Sequence, residues 1–191
     1  SAGASTGCSV ASTTLSITNA SGSCSVTATK AADATYNAAT SAAAPVTMNK
    51  AAQATVTVTA PASAAIGQAG LFATAAGGSG TGAYSYSATG TACTVNASSG
   101  ALAFSATGSC SITATRATDN NYLVSAVSPT PAAITVGLAD QATLTAIVTP
   151  SSVTFGNTAA LTSSGGSGTG SVSFSAGAST GCSVASTTLS I

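Results

Sequence analysis

An all-β fold, built from tandem β-sandwich domains of about 87 residues each in a stiff rod, is what this sequence predicts. Three observations carry the prediction. Residues 175–191, SAGASTGCSVASTTLSI, are identical to residues 1–17, at an offset of 174. Inside that period lies a weaker one: GGSGTG occupies Gly77–Gly82 and again Gly165–Gly170, an offset of 88. GSCSVTATKAADATY, ending at Tyr36, returns as GSCSITATRATDNNY, ending at Tyr122, an offset of 86, and AQATVTVTAP from Ala52 matches DQATLTAIVTP from Asp140. Third, Val, Ile, Leu, Phe and Tyr alternate with Ser and Thr in short runs, the period-two pattern of half-buried strands.

The expected strands follow in order through the complete copy. Thr55–Ala60 alternates Val with Thr, Ala69–Thr74 carries Leu71 and Phe72, and Ala83–Ala88 alternates Tyr84 and Tyr86 with small residues. Cys93–Val95, Ala101–Phe104, Cys110–Thr115 and Ala132–Val136 complete the set, with Gly, Asn or Pro turns between them. Short strands broken roughly every 8–12 residues point to an immunoglobulin-like sandwich. No window sustains the three-and-four spacing of a helix. Residues 1–51 are expected to be the C-terminal half of one such repeat, 52–138 a complete repeat, and 139–191 the N-terminal half of the next, completed by a copy of 1–51. Ile134–Val136 passes through Gly137, Leu138 and Ala139 almost directly into the Thr143–Val148 strand, a junction with little room for rotation.

Composition excludes several classes of function. The charged residues are Lys30, Lys50 and Arg116 against Asp33, Asp119 and Asp140, and the net charge is zero. Scattered cations do not make a nucleic-acid-binding patch, and no polybasic or amphipathic stretch suits a membrane surface. Much of the hydrophobic content is Ala, and no apolar run approaches the ~20 residues of a membrane span. Without His or Glu, neither a catalytic triad nor a carboxylate pair can be assembled, so the chain is not expected to be an enzyme. Clustered acids for calcium are missing, and two Cys per repeat without His cannot fill a zinc shell; no cofactor is expected.

The cysteines obey the repeat. Cys8 and Cys24 lie 16 apart, and Cys93 and Cys110 occupy the matching positions, 17 apart. Cys182 is the copy of Cys8, and its partner is expected beyond the chain end. One disulfide per repeat, Cys8–Cys24 and Cys93–Cys110, is the expectation; buried thiols are the alternative. A strand intervenes between the two cysteine strands in sequence, Thr14–Thr18 in the first pair. Disulfide Cα atoms sit about 4.4–6.8 Å apart and alternate strands of one sheet about 9–10 Å. The intervening strand must therefore leave that space, most simply by joining the opposite sheet.

Asp33-x-x-Tyr36 and Asp119-x-x-Tyr122 follow the second cysteine strand. Tyr36 and Tyr122 are expected to form structural tyrosine corners, with the ring on the core and the hydroxyl bonded to nearby backbone; a ligand site is the alternative. Lys30/Asp33 and Arg116/Asp119 suggest one surface ion pair per repeat. The Lys-to-Arg exchange excludes a shared Lys–Asn isopeptide crosslink. GGSGTG is a turn before a strand rather than a phosphate cradle, since no helix follows. Asn19-Ala20-Ser21 and Asn96-Ala97-Ser98 match the acceptor pattern for N-linked glycans, and exposed Ser and Thr suit O-linked sugars.

The run from Cys24 or Cys110 through Thr-Ala-Thr-Lys/Arg-Ala-x-Asp-x-x-Tyr, with the preceding GGSGTG turn, resembles bacterial immunoglobulin-like (Big/Ig-like) repeats, the tandem modules of large surface adhesins and extracellular fibre proteins. The resemblance implies secretion to the cell surface, a sandwich fold and a role in extending something from a cell; it carries no catalytic residues. The expected function is therefore a structural repeat of an extracellular bacterial filament, fibre or stalk, whose partners are further copies of itself. The alternative is an adhesin module that binds glycans or a partner protein through Tyr84, Tyr86 or loops; their sister residues, Val172 and Phe174, suit a core better. Both a giant polypeptide of many repeats and a short subunit polymerised by strand exchange fit the recurrence. The giant chain is expected, and an intact reduced mass near 17.6 kDa would instead indicate exchange.

Overall fold

The computed structural model describes all residues, 1–191, and contains strands and no helix. It divides into two compact units, Ser1–Leu138 and Ala139–Ile191.

The first unit opens with a hairpin of β1 (Cys8–Ala11) and β2 (Thr14–Ile17), followed by β3 (Ser25–Val26), β4 (Thr29–Lys30), β5 (Ala39–Thr40) and β6 (Ala44–Pro45). β3 pairs with β6 and β4 with β5, both antiparallel. Residues 52–138 then supply β7 (Val56–Thr59), β8 (Ser63–Ala65), β9 (Thr74–Gly77), β10 (Tyr84–Thr89), β11 (Cys93–Val95), β12 (Leu102–Phe104), β13 (Gly108–Arg116) and β14 (Ala132–Gly137). One sheet has the order β10-β13-β14-β8, with β8 parallel to β14 and the other pairs antiparallel. Opposite it lie the ladders β7-β9 and β11-β12. The segment just before β9 links them: Phe72 bridges Ala101, Ala73 N–H donates to Gly100 O and Leu102 N–H donates to Leu71 O. The arrangement is consistent with a β-sandwich.

Alternation fills the space between the layers. Val56 and Val58 of β7, Leu102 and Phe104 of β12, Cys110, Ile112 and Ala114 of β13, and Ile134 and Val136 of β14 point inward, while their neighbours face out. Every residue of this buried cluster comes from 52–138. In 1–51 the buried hydrophobic side chains are Cys8 and Cys24. The structure shifts some expected boundaries. β9 lies at Thr74–Gly77 rather than over Ala69–Thr74, because the Gly70 backbone, with φ +78°, breaks the run before Leu71. The short parallel strand β8 escaped the period-two pattern, since Ser-Ala-Ala carries no large side chain to alternate.

Residues 1–51 are tied to 52–138 around one loop. Ala20 N–H donates to Asn121 Oδ1 (2.9 Å), Ser21 Oγ donates to Asn120 O (2.8 Å) and Lys50 Nζ donates to Thr118 Oγ1 (3.1 Å). Ala51 N–H donates to Asn121 O and Leu123 N–H donates to Ala51 O.

The second unit is one sheet of order β15-β16-β18-β17, formed by β15 (Leu144–Thr149), β16 (Thr158–Gly165), β17 (Ser183–Ala185) and β18 (Thr188–Ser190). Its buried hydrophobic side chains are Ala159 and Leu161. Residues 172–177, the sequence sister of β10, are not a strand, contrary to expectation. β10 has a single ladder partner, β13, and this unit holds no counterpart of β13, so the backbone groups of 172–177 have no strand to bond.

Candidate functional site

The side chains with the most hydrogen bonds in 52–138 converge on the GGSGTG loop, Gly77–Gly82. Gly77 turns the chain out of β9 with φ +85°, and a methyl there would lie 2.3 Å from Thr55 O, so only glycine fits. Gly165 repeats both features, with φ +87° and 2.0 Å to Thr143 O. The loop is then clasped from three sides.

Gln53 spans it from below. Its Oε1 accepts from Ser79 N–H and Gly80 N–H, both at 3.2 Å, while Nε2 donates to Ala117 O and Leu123 O, both at 2.9 Å. Arg116, at the end of β13, donates from Nε to Gly82 O (3.0 Å) and from Nη1 to Gly77 O (2.8 Å). Its guanidinium carbon lies 5.0 Å from the centre of the Tyr84 ring, a cation–π contact, and the Tyr84 hydroxyl donates to the same Gly77 O at 2.7 Å. Asp119 closes the third side. Its Oδ1 accepts from Asn121 N–H and Tyr122 N–H, and its Oδ2 accepts from Thr81 N–H and Thr81 Oγ1.

These contacts correct two expectations. Arg116 and Asp119 do not form an ion pair: the guanidinium is taken by carbonyl groups and the carboxylate by backbone N–H groups. Lys30 and Asp33 are not paired either, and Asp33 Oδ1 accepts from Thr35 N–H and Tyr36 N–H instead. Nor are Tyr36 and Tyr122 corners of the expected kind. Tyr36 is 74% exposed, and neither hydroxyl makes a hydrogen bond. In the Asp-x-x-Tyr motif the aspartate does the structural work, as an Asx-type turn closed by Asp33 N–H to Tyr36 O and by Asp119 N–H to Tyr122 O. The tyrosine that packs on the core with its hydroxyl on backbone is Tyr84.

The backbone N–H groups of Thr81 and Asn121, in that order, hold the Asp119 carboxyl down to about 2; those of Thr35 and Tyr36 lower Asp33 in the same way. A folded-state value below the ordinary one makes stability fullest above about pH 4, and it is lost as pH falls towards 2. With three Asp and no Glu or His, little else titrates in that range. The midpoint of thermal unfolding is therefore expected to stay level from pH 8 to pH 4 and to fall below it, and Asp119→Asn should flatten that fall.

Neither charge nor strand pattern marks Gln53 in the sequence, although the matched runs AQATV and DQATL carry Gln at the same place. Gln141 accepts from Ser167 N–H (2.7 Å) and Gly168 N–H (2.9 Å), as Gln53 does from Ser79 and Gly80. Gln53→Ala removes four bonds at a half-buried position and is expected to cost about 1–2 kcal/mol, read from urea unfolding, with faster hydrogen exchange at Ser79 and Gly80.

Both expected disulfides are formed. Cys8–Cys24 has a Cα separation of 5.5 Å and Cys93–Cys110 one of 5.8 Å; Cys182 is free. The intervening strand does avoid the gap, by a route other than the simplest one. β12 stays hydrogen-bonded to β11, and β13 lies in the other sheet, so Cys93–Cys110 links the two layers. Two intramolecular disulfides fit an oxidising environment. No helix is long and apolar enough to cross a membrane. The sequon residues are tied locally: Asn19 Oδ1 accepts from Ser21 N–H, and Asn96 Oδ1 from Ser98 and Ser99 N–H.

No protein-family model, curated protein or solved structure matches this chain.

Proposed function

We propose that this chain is a stretch of immunoglobulin-like tandem repeats from an extracellular bacterial filament, fibre or stalk, secreted to extend or link cells. One observation carries the proposal: what recurs along the chain is scaffold. Gln53 and Gln141 clasp sister loops, Gly77 and Gly165 make the same turn, and the two cysteine pairs stand at matching places, 16 and 17 residues apart. Side chains that could act on a ligand do not recur, as Tyr84 becomes Val172 and Arg116 answers to Lys30.

The hydrogen bonds around Asn121 support a stiff succession of domains, because they bind 1–51 to the loop that closes 52–138. The inter-layer bridge supports resistance to extension, although it joins β11 to β13 rather than the strands bridged in antibody domains. The adhesin alternative loses its leading residue, since the Tyr84 hydroxyl and one face of its ring are already engaged. The test is hydrodynamic. Chains of one, two and three 174-residue periods should show a maximum dimension by small-angle scattering that grows in proportion to the number of periods. A compact particle whose dimension grows only as the cube root of mass would overturn the proposal.

A further inference from the structure

Three turns of this chain are capped in the same way. Asp33 Oδ1 accepts from Thr35 N–H (2.7 Å) and Tyr36 N–H (2.8 Å), and Asp119 Oδ1 accepts from Asn121 N–H and Tyr122 N–H, both at 2.9 Å. In the turn between β11 and β12, Asn96 Oδ1 accepts from Ser98 N–H (3.0 Å) and Ser99 N–H (2.9 Å). Each side chain closes its turn with one oxygen on the N–H groups two and three residues ahead. A carboxylate makes the stronger bonds of this kind, so as a cap Asn is the poorer choice. What Asn has and Asp lacks is the Nδ2 amide, and at Asn96 that group bonds nothing in the fold.

The sandwich does not require so long a turn here. In the sister hairpin Ser12 and Thr13 alone connect β1 to β2, whereas residues 96–101 connect β11 to β12. The longer turn is held from within: Asn96 N–H donates to Ala101 O (2.8 Å) and Gly100 N–H donates to Asn96 O (2.9 Å). Asn96, Ala97, Ser98 and Ser99 are all exposed, and the Ser98 hydroxyl, like Asn96 Nδ2, has no partner. These two unused groups are the first and third residues of the acceptor pattern Asn96-Ala97-Ser98.

We propose that Asn96 is the attachment site of an N-linked saccharide and that Asn19, in the same pattern, is not. The donor class is a saccharide carried on a polyprenyl diphosphate. Asn96 Nδ2 attacks its anomeric carbon, the carbon–oxygen bond to the diphosphate breaks, the diphosphate leaves with the electron pair, and one amide proton passes to a base of the transferase. Asn19 is half-buried, Ala20 N–H is held by Asn121 Oδ1 and the Ser21 hydroxyl already donates to Asn120 O. A saccharide there would wedge apart the contacts that tie 1–51 to 52–138. None of residues 96–99 bonds to 1–51 or to the Thr118–Leu123 loop, so a saccharide on Asn96 leaves that junction intact.

The position suits a hydrating group. Between Lys50 and Arg116 the chain carries no charged residue, and Asn96 lies inside that stretch. A bulky, strongly hydrated saccharide supplies the separation between copies that charge does not. Its sister position holds Ala11, so the array would carry one such group in each 174-residue period rather than one in each domain. The inference rests on the filament proposal for secretion alone, not for the rod.

The experiment is peptide mapping of the protein recovered outside the cells that make it, with enzymatic release of N-linked saccharide in heavy-oxygen water. Release should convert Asn96 to labelled Asp and leave Asn19 unlabelled, its occupancy lower by about tenfold or more. Asn96→Asp keeps the capping oxygen and removes the amide; it should abolish the saccharide with circular dichroism unchanged. Ser98→Ala should abolish it too, since the turn uses the Ser98 N–H and not its hydroxyl, and Ser98→Thr should keep it. Unmodified Asn96 in the secreted protein overturns this inference alone, as does equal occupancy of Asn19 or a saccharide that survives Asn96→Asp. Protein found only inside the cell overturns the secretion on which both proposals rest.

Discussion

The Cys93→Ala/Cys110→Ala double variant is expected to unfold at a markedly lower urea concentration, with a loss of about 3 kcal/mol or more. Closing a loop of this length restricts the unfolded chain by about that amount in the chain-entropy description. Both cysteines are 2% exposed, so truncation also removes packed sulfur from the centre of the cluster. The bridge joins β11 to β13 across the layers, and the loss should therefore fall on the whole of 52–138 rather than on one edge. Equilibrium unfolding in urea, followed by circular dichroism, measures it. An unchanged midpoint would show that sheet packing alone holds the layers together.

Ile112→Ala should be as damaging, at about 2–5 kcal/mol, and the informative control is its sequence sister. Ile112 is completely buried, between strands that carry Val56, Phe104 and Ile134. Val26 stands at the same place in GSCSVTATK but is only half-buried, and nothing in 1–51 builds a cluster around it. Val26→Ala is expected to cost less than about 1 kcal/mol, because little apolar area is lost to water. Paired thermal melts separate the two. Equal losses would mean that 1–51 holds a core of its own.

Much of the fold was legible in the residues. Val-Thr-Val-Thr in β7 and Leu-Ala-Phe in β12 alternate as a two-sided sheet requires, and both are buried on the predicted face. The disulfides followed from spacing, because a repeat places like residues in like positions. The clasp around Gly77–Gly82 was legible only in pieces. Arg116 and Asp119 are three apart and of opposite charge, which suggests a pair; in the fold Arg116 reaches two carbonyl groups, and Asp119 the N–H and hydroxyl of Thr81, on a loop more than thirty residues earlier. Such bonds leave no local trace, since a carbonyl or an N–H looks the same in every residue. Tyr36 and Tyr122 misled for a related reason: the spacing reported the turn, and the turn is made by the aspartate.

By itself the sequence determined the strand class, the period of recurrence, the cysteine pairing and the absence of charge clusters, because each depends on residue type at a fixed spacing. The tertiary structure decided which sheet each cysteine strand joins, what Arg116 and Asp119 bond, and why like sequences behave differently in different places. Residues 84–89 form a strand and 172–177 do not, although they are sisters, because a strand exists only beside a partner that takes its backbone bonds. That partner is supplied by chain distant in sequence, and no reading of the segment alone reveals whether it is there.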